Sequence, residues 1–435
     1  MEILESFLRR HAETMPEKTA VICGSERLSY GELWQRVERA AADYEPHHAY
    51  PFRNTQDIHF LVTYLAIHVA GAVAIPLAAT GTAPDISALP EKMPDGIADI
   101  LYTTGTTGRQ KGVMISHRAL LADAENLIDA QGFKRDTIFV ICGPMNHIGS
   151  LSKLWPVIHE GGTLVILEGL RDLQAFFDAF TLNIDGGKSE RRYASFLVPA
   201  SIRLLLQVGS SELQAIAPTI DFIETGAAPM PQSDLEAISA ILPQARLYNT
   251  YASTETGIIT TYDFNHNPCV AGCLGRPMRH SRLFITPEGT VACQGPTLMS
   301  GYVGDAAATA AILHDDTLWT QDIGEIDGDG NLRLIGRNGD TINIGGYKVA
   351  PTDVENAALS LEGLTDCMCV KASSPIFGET LKLLYVADRE LTKPQIARHL
   401  AARLERWQVP NLYEQVERIP RTFNGKLDRK GIAGT

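Results

Sequence analysis

The stretch "ILYTTGTTGRQKGVMISHRAL" at residues 100–120 sets Thr103, Thr104, Thr106 and Thr107 around Gly105 and Gly108, with Lys111 just beyond. A strand ending near Tyr102 and a helix starting near Ser116 leave this run as one turn, whose backbone N–H groups and hydroxyls make a nest suited to phosphate oxygens. It is not a Walker loop, which needs lysine directly after the second glycine and then serine or threonine. Here Lys111 is followed by Gly112. A polar loop that holds nothing is the plain alternative.

Five further stretches carry residues able to do chemistry: "GPMNHIGSL" with Asn146 and His147, "ETGAAPM" with Gly226 and Ala227, "YNTYASTETG" with Asn249, Tyr251, Ala252, Ser253, Thr254 and Glu255, "WTQDIGEIDGDGNLRLIGR" with Asp322 and Arg337, and "RTFNGKLDRK" with Lys426. Taken singly, each has an ordinary reading: a core histidine, a turn, a surface carboxylate, solvated charges. Their order along the chain is what separates them from coincidence.

In that order the motifs resemble those of the adenylate-forming superfamily, which comprises acyl- and aryl-CoA synthetases, peptide-synthetase adenylation domains and luciferases. The match runs from residue 3 to residue 430. The resemblance implies that the Thr/Gly run and Lys111 hold ATP phosphates, and that His147, Asn146, Ala252 and Ser253 line the acyl pocket. It implies that Gly226 and Ala227 receive the adenine edge, and that Asn249 and Tyr251 shape the adenine site with Tyr251 against the ring. Thr254 meets phosphate, Glu255 holds Mg²⁺, and Asp322 and Arg337 take the ribose hydroxyls. Lys426 reaches both the substrate carboxylate and the α-phosphate. Relatives rotate a small C-terminal domain between two half-reactions about a hinge two residues after the arginine, and that position here is Gly339. Relatives place an acid or lysine there; glycine is freer in φ and ψ.

The chemistry asks for such groups. A carboxylate is a poor electrophile because its leaving group would be oxide, whereas an acyl-AMP offers a stable phosphate monoester as leaving group. Bringing an anionic nucleophile to an anionic phosphate makes charge neutralisation and positioning the main demands.

Positioning those residues requires a layered scaffold. Two helical patterns, "ILESFLRRHAETM" and "SYGELWQRVERAAADY", flank the strand "KTAVICG". From residue 51 apolar strands such as "GAVAIPLA", "TIFVICGP" and "GGTLVILEG" alternate with helices, the pattern of an α/β domain. The apolar run Leu61–Ala79 holds His68, Gly71 and Pro76, and reads as a buried helix leading into a buried strand rather than a membrane span. Near residue 336 the texture turns to Gly, Asp and Asn, followed by the helix "PTDVENAALSLE", two strands and the helix "KPQIARHLAARLERW". Thr352 and Glu355 have capping-box spacing. The expected fold is α/β: a large multi-layered N-terminal domain over residues 1–336, with mixed sheets flanked by helices, and a small mobile C-terminal α+β domain over 337–435, hinged near 337–340.

Composition narrows the partners. With 38 Lys and Arg against 51 Asp and Glu, the net charge of −13 argues against a nucleic-acid surface. The seven cysteines follow no framework spacing, and Cys269 and Cys273 lack the further ligands of a zinc site. No secretory signal opens the chain, so the expected location is the cytoplasm.

Amino-acid-activating relatives hold the substrate ammonium with an aspartate where this chain has "PMNHIGS", and none stands there. The resemblance therefore points to a carboxylic acid without an α-amine. The acceptor is CoA, or the phosphopantetheine of an acyl or peptidyl carrier protein. A non-catalytic acyl-adenylate-binding protein is the distant third reading. Asn146 either bonds the substrate or shapes its turn. Lys188, Arg191 and Arg192 either meet an acidic acceptor or form a solvated loop. Only about twenty residues separate "GAVAIPL" from "DILYTTG", and residues 45–60 match the family poorly, a layout similar to compact bacterial acyl- and aryl-CoA synthetases.

Overall fold

In the computed structural model, the described residues are 3–103, 110–184, 192–340, 342–344, 347–374, 378–421 and 427–429. The strands Thr19–Cys23, Thr163–Ile166, Ile138–Ile141, Tyr193–Phe196, Ile220–Gly226 and Arg246–Ser253 lie side by side and run parallel. Their β-branched and aromatic residues are almost all buried, as expected of strands covered on both faces. Beyond Arg246–Ser253 the sheet continues antiparallel through Gly257–Asp263, Cys273–Pro277, Leu332–Arg337, Thr317–Ile326, Thr290–Gln294 and Arg282–Ile285. The change of direction falls where the chemistry-bearing motifs lie.

A second sheet orders Ala49–Arg53, Val73–Leu77, Ile97–Thr103, Lys111–Ser116 and Gly301–Tyr302. The helix Ile58–Val69 starts on Asp57, whose carboxylate accepts from the Phe60 N–H at 3.0 Å, and nearly every residue in it is buried. No helix among the described residues is long and apolar enough to cross a membrane. A buried ionic cluster ties these layers: His68 Nδ1 lies 2.8 Å from Glu5 Oε1 and Nε2 3.0 Å from Asp99 Oδ1, and Tyr64 donates to Asp99 Oδ2 at 2.9 Å. Burial disfavours the charged ring, but the two carboxylates outweigh it and hold the imidazole up to about 10.

The last stretch builds its own core from Ile342, Val349, Val354, Leu381, Leu383, Ile396 and neighbours, around the paired strands Leu364–Ser374 and Gly378–Ala387. Arg203, on the helix Pro199–Val208, joins it to the larger part through Asp234 at 2.9 Å and Asp366 at 3.3 Å, and Arg421 also meets Asp366 at 2.8 Å.

Two local expectations are corrected. The helix Pro351–Leu359 is not opened by a Thr352/Glu355 capping box: Ala350 is its boundary residue and Pro351 fills the first turn, where a missing N–H costs nothing. Thr352 donates instead to the Ile335 carbonyl at 3.2 Å, and Glu355 accepts from Arg429 Nη2 at 2.6 and 2.7 Å and from the Cys369 N–H at 2.7 Å. The capping box belongs to Thr392 and Gln395, at the start of Lys393–Ala401. Second, the residues between the Thr/Gly run and the helix expected near Ser116 are not all turn. The strand Lys111–Ser116 intervenes and pairs back on Ile97–Thr103, and only then does His117–Gln131 begin, with Ser116 as its cap. The β-branched and apolar run Val113–Ile115 suits this strand, and the helix begins at His117, as expected near Ser116.

Candidate active site

Arg246–Ser253 is the last parallel strand, and its C-terminal end is the centre of the site. Asn249 is buried and donates to the Cys273 carbonyl at 3.3 Å. Two residues on, Tyr251 points the same way, is buried, and donates its hydroxyl to Asp322 Oδ2 at 2.7 Å. Asp322 and Arg337 are paired across the strands Thr317–Ile326 and Leu332–Arg337, with Arg337 Nε 3.2 Å from Asp322 Oδ1. Burial, and then the negative Asp322, push the Tyr251 phenol well above its ordinary range, so it remains a donor.

A register shift between Tyr251 and Ala252 re-aims the chain as the strand ends. Ser253 Oγ and Thr256 Oγ1 then close the next turn at 3.0 Å, leaving Thr254 and Glu255 half-buried on it. Glu255 Oε1 accepts from the Tyr302 hydroxyl at 2.9 Å, and Lys111 Nζ stands 4.5 Å over the Tyr302 ring. Burial first, and then Glu255, hold the Tyr302 phenol above its usual value. Tyr302 escaped the sequence reading because its partner is 47 residues away and nothing in "SGYVGD" marks it. Thr103 pairs opposite Lys111. Thr104, Gly105, Thr106, Thr107, Gly108 and Lys426 lie outside the described residues.

On the other flank, Ile220–Gly226 runs into the turn at Ala227, which has φ +68°. A residue with a Cβ in the left-handed region stores strain of about 1 kcal/mol or more. A Cβ on Gly226 would lie 2.8 Å from the Thr250 carbonyl oxygen, so that neighbour demands glycine. His147, half-buried, precedes the short helix Ile148–Leu151, and its carbonyl accepts from the N–H groups of Ser150 and Leu151. Asn146 accepts from Asn54 Nδ2 at 3.4 Å. Gln56 accepts from the Met145 N–H at 3.1 Å and donates to the Gly143 carbonyl at 2.9 Å. The poorly matching stretch around residue 54 therefore braces the turn that presents His147, and Asn146 is engaged in shaping that turn. Of the basic cluster, Arg192 donates to the Ile184 carbonyl at 3.1 Å, whereas Lys188 and Arg191 lie outside the described residues. Gly339 is exposed with φ +98° and open space where a Cβ would stand.

Comparison with known proteins shows the family. Residues 87–303 match the family model of the AMP-binding enzyme, and residues 353–426 that of the AMP-binding enzyme C-terminal domain. A 2-succinylbenzoate–CoA ligase of Staphylococcus aureus (strain MSSA476) is 30% identical over 78% of this chain and 67% of its own. That of Staphylococcus epidermidis is 27% identical over 78% and 70%. Among solved structures, ATP-bound MatB from Rhodopseudomonas palustris superposes with a TM-score of 0.85 at 22% identity, over 99% of this chain and 98% of that one. The o-succinylbenzoate CoA synthetase of Bacillus subtilis with its acyl-adenylate gives 0.83 at 20%, over 99% and 98%. The chain belongs to the AMP-binding enzyme family and is an enzyme of its AMP-forming acid–thiol ligase type.

Proposed function

We propose that this enzyme joins a carboxylic acid lacking an α-amine, of aryl or acyl type, to AMP with release of pyrophosphate, and then passes the acyl group to CoA. The observation that carries the reading is the convergence of two tyrosine–carboxylate pairs, Tyr251 with Asp322 and Tyr302 with Glu255, at one end of Arg246–Ser253. The naming of its relatives as 2-succinylbenzoate–CoA ligases favours an aryl acid and CoA.

In this reading Asp322 and Arg337 hold the ribose hydroxyls, with Tyr251 fixing the Asp322 carboxylate toward them. The Gly226–Ala227 turn offers backbone groups to the adenine edge. Thr103, Thr104, Gly105, Thr106, Thr107, Gly108 and Thr254 donate to phosphate oxygens, and Lys111 adds a cation at their margin. The carboxylate oxygen attacks the α-phosphorus as the bond to pyrophosphate breaks; Lys426 offsets the charge of both reactants there. The thiol sulfur then attacks the acyl carbon and AMP leaves. Glu255 fits a hard divalent cation: it is an oxygen donor, half-buried, with Tyr302 steadying one of its two oxygens. Mg²⁺ held there would supply neutralisation of the phosphate charge. Residues 337–435 act as a small unit turning about Gly339, where the absence of a side chain leaves the backbone free.

Incubation with ATP, a panel of acids and labelled pyrophosphate, followed by CoA or a phosphopantetheinylated carrier protein, tests this. Acid-dependent exchange and acyl-CoA formation are expected. Thioester on the carrier alone would overturn the choice of CoA.

A further inference from the structure

Behind the His147 helix lies a charge pair that the adenylation chemistry does not use. Lys153 and Glu224 are 2% and 1% exposed, with Lys153 Nζ 2.8 Å from Glu224 Oε1. Such a pair is costly to bury unless its remaining donors and acceptors are also met. They are not. Glu224 Oε2 is buried with no hydrogen-bond partner among the described residues. The Lys153 ammonium has three donors, and among the described residues its one hydrogen bond is to Glu224.

The pair also stands in a definite place. Glu224 is two residues before Gly226 on one strand, so the two face the same side. Lys153 follows His147 by six residues, past the short helix Ile148–Leu151. Beside the pair is the half-buried ring of Phe196, the residue opposite Glu224 on the neighbouring strand, with Lys153 Nζ 5.3 Å from its centroid. The ring packs against two glycines: a Cβ on Gly149 would come 2.9 Å from Phe196 Cε1, and one on Gly226 would stand 3.8 Å from Cε2. Phe196 therefore joins the His147 helix to the Gly226 turn, and the incomplete ion pair sits at its back.

Resting on the reading that an acyl-adenylate forms between that helix and that turn, we infer that Lys153 and Glu224 recognise a hydroxyl group carried by the acid at the end remote from its carboxylate. The unmet atoms select this chemistry. A hydroxyl donates to Glu224 Oε2 and accepts from Lys153 Nζ, so it satisfies both at once. A second carboxylate would meet Lys153 but face Glu224, and an ammonium would meet Glu224 but face Lys153; each brings a like charge into a buried site. An unsubstituted apolar acid leaves both atoms unpaired, and that is the discrimination buried polar groups enforce most strongly.

The test uses the full chain and stable mimics of the adenylate, so that it needs no turnover. Benzoyl sulfamoyl-adenosines bearing hydrogen, hydroxyl, carboxylate or aminomethyl at the meta or para ring position are titrated calorimetrically. One hydroxylated compound is expected to bind about tenfold or more tighter than the unsubstituted one, and tighter than its charged counterparts. In Glu224→Gln the preference for hydroxyl over hydrogen should shrink several-fold. In the paired apolar variant Lys153→Met/Glu224→Leu it should vanish, while the unsubstituted compound binds at least as well as to the unaltered enzyme. Binding of the unsubstituted compound, together with a thermal melt, checks that each variant is folded. Equal binding of hydroxylated and unsubstituted compounds, tighter binding of a charged one, or a preference that survives in the paired variant would each overturn the assignment. Failure to exchange pyrophosphate with any acid would instead overturn the proposed reaction, and it is read in a separate assay.

Discussion

In the proposed reading, the nucleotide side and the acyl side of the site are built differently. On the nucleotide side, Tyr251, Asp322 and Arg337 already touch one another, as do Glu255, Tyr302 and Lys111, so each carboxylate is steadied before any ligand arrives. On the acyl side the backbone is braced by Asn54 and Gln56, but Lys153 and Glu224 retain unmet hydrogen-bonding capacity. The difference teaches a division of labour. Pre-assembled pairs suit a partner that never changes, and an incomplete pair suits one that must be chosen.

The largest effect is expected at Lys426, proposed to act on both reactants. Lys426→Ala should lower the rate of acyl-AMP formation by about a hundredfold or more while ATP still binds, as read by pyrophosphate release alongside nucleotide titration. Unchanged adenylation in that variant would remove the lysine from the account. Next, Asp322→Ala should weaken ATP by roughly tenfold or more through loss of its charged hydrogen bonds, and by the same factor for every acid. A loss that varied with the acid would erase the division. Third, Gly149→Ala presses on Phe196 Cε1 at 2.9 Å and Cζ at 3.2 Å, so it should raise KM for the acid several-fold and leave KM for ATP alone.

The smallest effect lies outside both sides. His68 keeps its proton in the folded chain up to about 10, against about 6.5 when unfolded. Between those values the unfolded state binds fewer protons, so stability falls as pH rises through that window. The groups around the ring are Glu5, Asp99, Tyr64 and His117. In His68→Leu this slope should flatten in denaturant midpoints measured across the alkaline range. Steady-state KM values for ATP and acid should not change at a pH where the variant is folded.

The two sides were unequally legible in the sequence. The proposed nucleotide side is written in short runs such as "YNTYASTETG", where strand alternation and one turn set Asn249, Tyr251 and Glu255 within one stretch, and resemblance to the family's motif brought them out. Asp322 and Arg337 face each other because their strands form an antiparallel pair joined by a turn at "DGDGN". Tyr302, Phe196, Lys153 and Glu224 were missed because each becomes meaningful only through a partner on another element. The Lys153–Glu224 pair joins the turn before the helix Leu154–Glu160 to a strand 71 residues away. The two corrected expectations have a related cause. Proline at the first turn displaced a local capping pattern at Thr352, and sheet pairing turned the residues after the Thr/Gly run into a strand.

Whether the pre-assembled side activates an acid with ATP is decided by exchange of labelled pyrophosphate into ATP by the unaltered enzyme. The expected exchange requires a carboxylic acid and is lost in Asp322→Ala at limiting ATP. Exchange that proceeds equally without any acid, or none across a broad panel, would contradict it.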